Sequence, residues 1–301
     1  MNRIFTDDAR QEEFDRQGYI VVRLLSATDA AALLCRIEEL RKTVVAGPGC
    51  ADGLDQSFCT PDADYRRRAD EIVSEALREP LLSMIAGYRL AACGVMIKRP
   101  HAGEMDVHRD RTVHVEPDLP PVNAWCPLVD VDDSYGNLAM LPGSHKLPNI
   151  ETKGVKRFYA AYDSALKRLS VSVPLSAGEA ILFDNRLLHW SRPNRHDEHR
   201  PVLRAMAVPA ESRIVFYKLD AENGGKRFEI VDAEAEGAVT HSPDDIATGL
   251  VPAPTIGFVV NENREVSLLE CWTQAAQASG RPLVSFAVQQ AVNGLRARLG
   301  G

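Results

Sequence analysis

Three residues of this chain are of the types and spacing that hold a catalytic metal. His108 and Asp110 stand two apart in Val107-His108-Arg109-Asp110. On an extended strand, residues i and i+2 share a face, so an imidazole nitrogen and a carboxylate oxygen can converge on one point. His189 offers the third ligand. It ends the run AILFDNRLLH behind the turn SAGE, where an apolar strand would deliver a polar side chain to the mouth of a barrel. Two histidines and one carboxylate on one face of an octahedron leave three positions open, the donor set of non-haem Fe(II) oxygenases. A structural zinc site is closed by four protein ligands instead. Taken alone, His-x-Asp reads more simply as a surface pair on a strand; the weight lies in its combination with His189 and a following arginine.

That arginine is Arg200, eleven residues after His189 and beyond the turn RPNRHDE. A hairpin would return it beside the strand of His189. Its planar, permanently charged fork suits a carboxylate, such as the distal one of 2-oxoglutarate. Arg204 shares its strand face, and Arg192 and Arg195 lie nearby; Arg200 has the better offset. Ser191, two after His189, could donate to the same carboxylate. Trp125 would wall a cosubstrate pocket or pack as core, and Asn123, on the same face, would bond the cosubstrate or a buried backbone group. Lys98 closes a strand before Pro100. It could greet a carboxylate, though a solvated strand end is its simpler reading. His145, in PGSHK, fits a turn-stabilising role. His101, His114, His196 and His199 read as solvated loop residues, with His114 the spare that could touch a substrate.

The elements that must position these residues follow from periodicity. Residues 7–18 read as a short polar helix, 19–25 as a strand, and 27–44 as an amphipathic helix behind Ser26 with Leu33, Leu34, Ile37 and Leu40 on one face. Residues 46–66, rich in Gly, Asp and Pro, read as a loop. Helical spacing resumes over 67–86, with Pro80 at a junction. From residue 88 the pattern is of short apolar runs between turn signals, that of a sandwich or barrel. It predicts strands near 89–98, 105–113, 122–130, 137–141, 170–174, 179–184, 201–209 and 213–218. Residues 150–168 are mixed, 219–250 polar and ambiguous, and 255–260 strand-like. Ser267 to Glu270 reads as a capping box, and 283–299 as a further amphipathic helix. We expect one domain of α+β class: an N-terminal helical region (1–87), a mainly β core (88–218) and a C-terminal extension with helices (219–301).

At this point the sequence resembles the phytanoyl-CoA dioxygenase family of Fe(II)/2-oxoglutarate oxygenases. The matching stretches are DRQGYIVVRLL, VMIKRP, VHRD, VNAWCPLVDVDDSYGNLAMLPGSHK, SAGEAILFDNRLLHWSRPNR and HRPVLRAMAV. The resemblance implies a double-stranded β-helix core (jelly roll, cupin-like). It implies iron ligation by His108, Asp110 and His189, and 2-oxoglutarate binding by Arg200 and Ser191. It further implies consumption of O2, hydroxylation of an unactivated C–H bond, and release of succinate and CO2. Halogenating relatives carry a small residue in place of the carboxylate, so Asp110 favours hydroxylation. Two departures stand out: Gly136-Asn137 reverses the family's usual Asn-Gly, expected to alter a turn and not the site, and polar residues 112–117 follow the metal motif.

Bulk properties exclude other classes. The 301 residues are 45% hydrophobic and 26% charged, with a formal net charge of −7 and no run of six like charges, so neither nucleic acid nor a charged tail is indicated. The six cysteines form no CxxC pair, which suits reduced thiols in the cytoplasm. The charged N-terminus lacks the apolar stretch of a signal peptide, and no run of eighteen apolar residues suggests a membrane span. A small-molecule substrate is expected, anionic if Arg99, Arg109, Arg111, Arg192 and Arg195 flank the mouth. Residues 42–66 and 150–168 are candidate lids. The readings to be weighed against an oxygenase are a cupin-like metalloenzyme that does not use 2-oxoglutarate and a non-catalytic jelly-roll binding module.

Overall fold

Residues 3–43, 53–114, 119–152, 159–234 and 254–280 are described by the computed structural model. Helix α1 (Asp8–Gln17) begins where the Asp7 side chain accepts from the Arg10 amide, and ends at Gly18, whose φ of 83° turns the chain into β1 (Tyr19–Arg23). Ser26 caps α2 (Ala27–Arg41) by accepting from the Asp29 amide, and Ala30, Leu33, Ile37 and Leu40 form its buried stripe. Asp62 caps α3 (Ala63–Leu82), whose buried face is Tyr65, Ala69, Val73, Leu77 and Leu81. Pro80 lies inside α3 and marks no junction there. So near the end of the helix, its missing N–H costs one hydrogen bond and leaves the rest of the turn intact.

These helices cover one face of a six-stranded antiparallel sheet. Its strands are β1, β2 (Leu54–Gln56), β3 (Tyr88–Lys98), β4 (Val122–Pro127), β7 (Glu179–Asp184) and β9 (Arg200–Pro209), in the order β1-β7-β4-β9-β3-β2. The alternation of side chains sorts the two faces. Val122, Ala124 and Cys126 of β4, with Ala180 and Leu182 of β7, join the helices. Trp125, Ile181, Phe183 and Val202 point the other way and pack against Leu138, Met140, Val173 and Leu175. Those residues belong to or adjoin a second antiparallel sheet, β5 (Leu138–Met140), β6 (Val171–Val173) and β8 (His189–Ser191), in the order β6-β5-β8. Its outer face, through Ala139, Leu141, Leu188 and Trp190, meets α4 (Asp163–Leu169) and α5 (Leu268–Ala278). A third sheet follows, β10 (Val215–Leu219), β11 (Arg227–Asp232) and β12 (Thr255–Val260).

The expected class, an antiparallel β core flanked by helices, is the observed one. The capping box at Ser267 and Glu270 is present in both halves. Four local expectations are corrected. Residues 105–113 form no strand; one isolated bridge, His108 to His189, is all that remains of it. Residues 54–56, expected in a loop, add to the sheet edge beside β3, because pairing with a ready-made edge needs no strand propensity of its own. The run 179–189 is two strands in two sheets. The polar turn Asp184-Asn185-Arg186 splits it, with Asp184 Oδ1 accepting from the Arg186 amide at 2.8 Å, so His189 starts a strand and ends none. The ambiguous region holds β11. The helix expected at 283–299 lies outside the described residues. No described helix is long and apolar enough to cross a membrane.

Candidate metal centre

His108, Asp110 and His189 come together: one ligand atom from each lies within 4.8 Å of the others. The two histidines are tied by reciprocal backbone hydrogen bonds, His108 N to His189 O and His189 N to His108 O, both 2.9 Å. Their rings lie 4.3 Å apart. Each Nδ1 is placed to donate to a backbone carbonyl, that of Asp106 for His108 (2.9 Å) and of Leu187 for His189 (3.0 Å). This fixes the tautomer that presents a bare Nε2 to a metal. Two imidazole nitrogens and a carboxylate oxygen converging in this way are donors that suit a divalent ion.

The segment that carries His108 and Asp110 lacks a ladder, yet its backbone is pinned. Val107 N donates to Asp163 Oδ1 (2.9 Å), Arg109 N to the Tyr159 hydroxyl (3.1 Å), and Thr112 N to Glu151 O (2.9 Å), while Arg111 O accepts from Asn185 Nδ2 (2.6 Å). Three side chains and one carbonyl from other segments thus do what a neighbouring strand would. Arg109 itself turns away from the centre and is buried, donating to the carbonyls of Ser144 (2.6 Å), Leu147 (2.9 Å) and Pro148 (3.2 Å). Ser144 Oγ in turn accepts from Leu188 N, next to His189 (2.8 Å). The turn of the PGSHK motif therefore links both ligand segments.

Asp110 Oδ2 accepts from Asn123 Nδ2 at 3.0 Å and lies 3.5 Å from Arg204 Nη2. Burial pushes its carboxyl up, but Arg204 and the two histidines outweigh that and leave it below the usual carboxylate range. Asn123, considered above for the cosubstrate, is thus placed against the metal carboxylate.

On the same inner face, Arg200 and Lys98 are paired across β9 and β3 and are almost completely buried, 1% and 0% exposed. The solvated strand end foreseen for Lys98 is therefore wrong: its Nζ donates to Ser191 Oγ (2.9 Å) and Arg192 O (2.6 Å). Arg200 donates to Gly136 O and lies 4.9 Å over the Trp125 ring, and its Nε has no partner among the described residues. Burial pushes its guanidinium down to about 9, the mark of a cation enclosed without a counter-charge. Gly136 also proves to be part of the site and not merely a turn. It has φ +70°, and a Cβ there would come within 3.1 Å of Lys98 Cδ and 3.5 Å of Arg200 Cδ.

Three of the five arginines expected at the mouth have partners within the protein. Arg99 pairs with Asp55 and Arg192 with Asp133, and Arg109 points inward. His114 is buried, not solvated, because the Tyr217 hydroxyl draws its carbonyl against the third sheet (2.9 Å). Sequence reasoning passed over Asn185 and the structural role of Arg109. Only the placement of Arg204 four residues after Arg200, on the same strand face, was open to view.

The profile of the phytanoyl-CoA dioxygenase (PhyH) family matches residues 14–202. No curated protein matches the chain. Among solved structures, the non-heme alpha ketoglutarate dependent carbocyclase SnoK from nogalamycin biosynthesis superposes with a TM-score of 0.58 at 17% identity, covering 87% of this chain and 100% of that one. The epimerase SnoN from the same biosynthesis, also solved with Fe3+, alpha ketoglutarate and nogalamycin RO, gives 0.52 at 24% identity over 69% of this chain and 84% or 85% of that one. These likenesses establish a shared fold.

Proposed function

Since the chain belongs to the phytanoyl-CoA dioxygenase (PhyH) family, we propose that it is an Fe(II)- and 2-oxoglutarate-dependent dioxygenase that hydroxylates an unactivated C–H bond of a small molecule, releasing succinate and CO2. The observation that carries this reading is the pairing of a three-ligand cluster with a buried arginine that, among the described residues, has a single carbonyl acceptor and no carboxylate. A cupin-like metalloenzyme without the cosubstrate would leave that arginine unexplained, and a non-catalytic binding module would have no use for three intact metal ligands.

His108, Asp110 and His189 hold the iron. Arg200 receives the distal carboxylate of 2-oxoglutarate, with Gly136 leaving room for it and Trp125 stacking beneath the guanidinium. Lys98 and Ser191 form the polar floor next to it, already joined to each other. The bound iron, with its cosubstrate and O2, supplies the oxidising chemistry. The chain orients the substrate and keeps water out through Met96, Met140, Ile181, Phe183 and Val202, which line the space between the two sheets. The structural neighbours include an epimerase and a carbocyclase, and product analysis must therefore accompany the assay.

The test is anaerobic addition of Fe(II) and then 2-oxoglutarate, followed by visible absorption. A weak charge-transfer band, absent in His189→Ala, is expected, and a substrate screen by succinate release would follow. Iron binding without the band would remove 2-oxoglutarate from the reading. No iron binding would remove the metal centre.

A further inference from the structure

A carboxylate can hold a metal through one oxygen or through both, and the second mode closes a position that a cosubstrate needs. We infer that Arg204, acting with Asn123, occupies one oxygen of Asp110 and so holds this ligand to a single metal contact. The inference rests on the reading of the centre as a metal site and concerns a residue that reading leaves idle.

The geometry is a closed triangle. Arg204 Nη2 donates to Asn123 Oδ1 at 3.0 Å, Asn123 Nδ2 donates to Asp110 Oδ2 at 3.0 Å, and Arg204 Nη2 lies 3.5 Å from that same Oδ2. The amide cannot be flipped, since an arginine only donates and its Asn123 partner atom must be the oxygen. Asn123 is fully buried, and its Nδ2 also donates to Asn185 Oδ1 at 2.9 Å. Asn185 Nδ2 in turn holds the carbonyl of Arg111, in the ligand segment itself. The network therefore grips Asp110 by side chain and by backbone, and it engages Oδ2, which would leave Oδ1 for the metal.

Arg204 is held from its other side as well. Its guanidinium lies 5.4 Å from the centre of the Phe58 ring. Phe58 belongs to the short 3-10 segment Ser57–Cys59, which lies against Gly94 of β3: a Cβ there would come within 2.7 Å of Ser57 Oγ and 3.0 Å of Phe58 Cδ1. Gly94 and Arg204 are partners across β3 and β9. Thus the turn that follows edge strand β2 delivers the ring that clamps the arginine. Arg200 and Arg204, one strand face apart by four residues, have separate tasks: the first receives an anion, and the second constrains a ligand.

Co(II) serves as the probe, because its visible ligand-field bands report coordination number without turnover. In Arg204→Met we expect Co(II) affinity to fall about tenfold or more, with an altered band pattern and weaker 2-oxoglutarate binding to the Co(II) protein. Arg204→Lys, which keeps the charge but not the fork, should recover part of the wild-type spectrum. Phe58→Ala, at a half-buried position, should shift the bands the same way by less, and reads the same effect should Arg204→Met fold poorly. Wild-type affinity and wild-type bands in the folded Arg204→Met or, if that variant does not fold, in Phe58→Ala would overturn the inference. A wild-type protein that binds no Co(II) would instead overturn the metal centre on which it rests.

Discussion

Arg109 and Arg200 are both buried, 4% and 1% exposed, and both guanidiniums are pushed down by burial, to about 10 and about 9. Their surroundings differ. Arg109 reaches three carbonyls of residues 144–148 and fastens the metal-binding segment to the turn that also holds Leu188. Arg200 reaches one carbonyl and an aromatic face. A buried cation that serves the fold is wrapped in acceptors belonging to the fold. One that serves a ligand keeps hydrogen-bonding capacity for an anion that arrives later.

The contrast can be broken most directly at Arg200. Arg200→Met should weaken 2-oxoglutarate binding a few hundred-fold, about 3–4 kcal/mol, by calorimetry on the metal-loaded protein. The ligand-free protein should melt no lower than wild type, since an enclosed charge has been removed. A collapse of the ligand-free fold would place Arg200 in the same class as Arg109. The converse holds for Arg109→Met. Stranding three buried carbonyls should cost about 3 kcal/mol in chemical denaturation, and an unchanged stability would void the contrast.

His145 sharpens the comparison, because it sits in the very turn that Arg109 grips. Burial, with Lys146 and Arg186 adding to it and Asp184 opposing, pushes its imidazole down to about 4. The unfolded chain therefore takes up the proton first. Stability should be complete above pH about 6.5 and fall as pH drops toward 4, by up to about 3 kcal/mol. Denaturation across that range should show the slope in wild type and its loss in His145→Gln; a slope that persists would assign it to another group. The smallest effect is expected at Gly136→Ala. Strain at φ +70° and the 3.1 Å approach to Lys98 Cδ should cost about 1–2 kcal/mol of stability and weaken the cosubstrate several-fold. Full retention of both would mean that the pocket floor can yield.

Much of the centre was legible because its signals are local. The i, i+2 spacing of His108 and Asp110, the histidine behind SAGE and the arginine beyond RPNRHDE each need only residue type and distance along the chain. The caps at Ser26 and Ser267 are local for the same reason. Lys98 shows the limit. A lysine before Arg99-Pro100 looks like a solvated strand end, and its burial depends on Ser191 and Arg192, more than ninety residues away.

The amino-acid sequence by itself determined the donor set, the arginine facing it and the helical and strand periodicities, since these follow from side-chain chemistry and backbone repeat. Tertiary structure alone decided that the metal-binding segment would be held by Asp163, Tyr159, Glu151 and Asn185 in place of a strand. It also decided that Gly136 would lie against Lys98 and Arg200, and that of two arginines on one face, Arg200 would reach a single carbonyl among the described residues while Arg204 closes on Asp110. Such outcomes depend on which distant groups share a desolvated space, where one missing acceptor separates a structural charge from a receptive one.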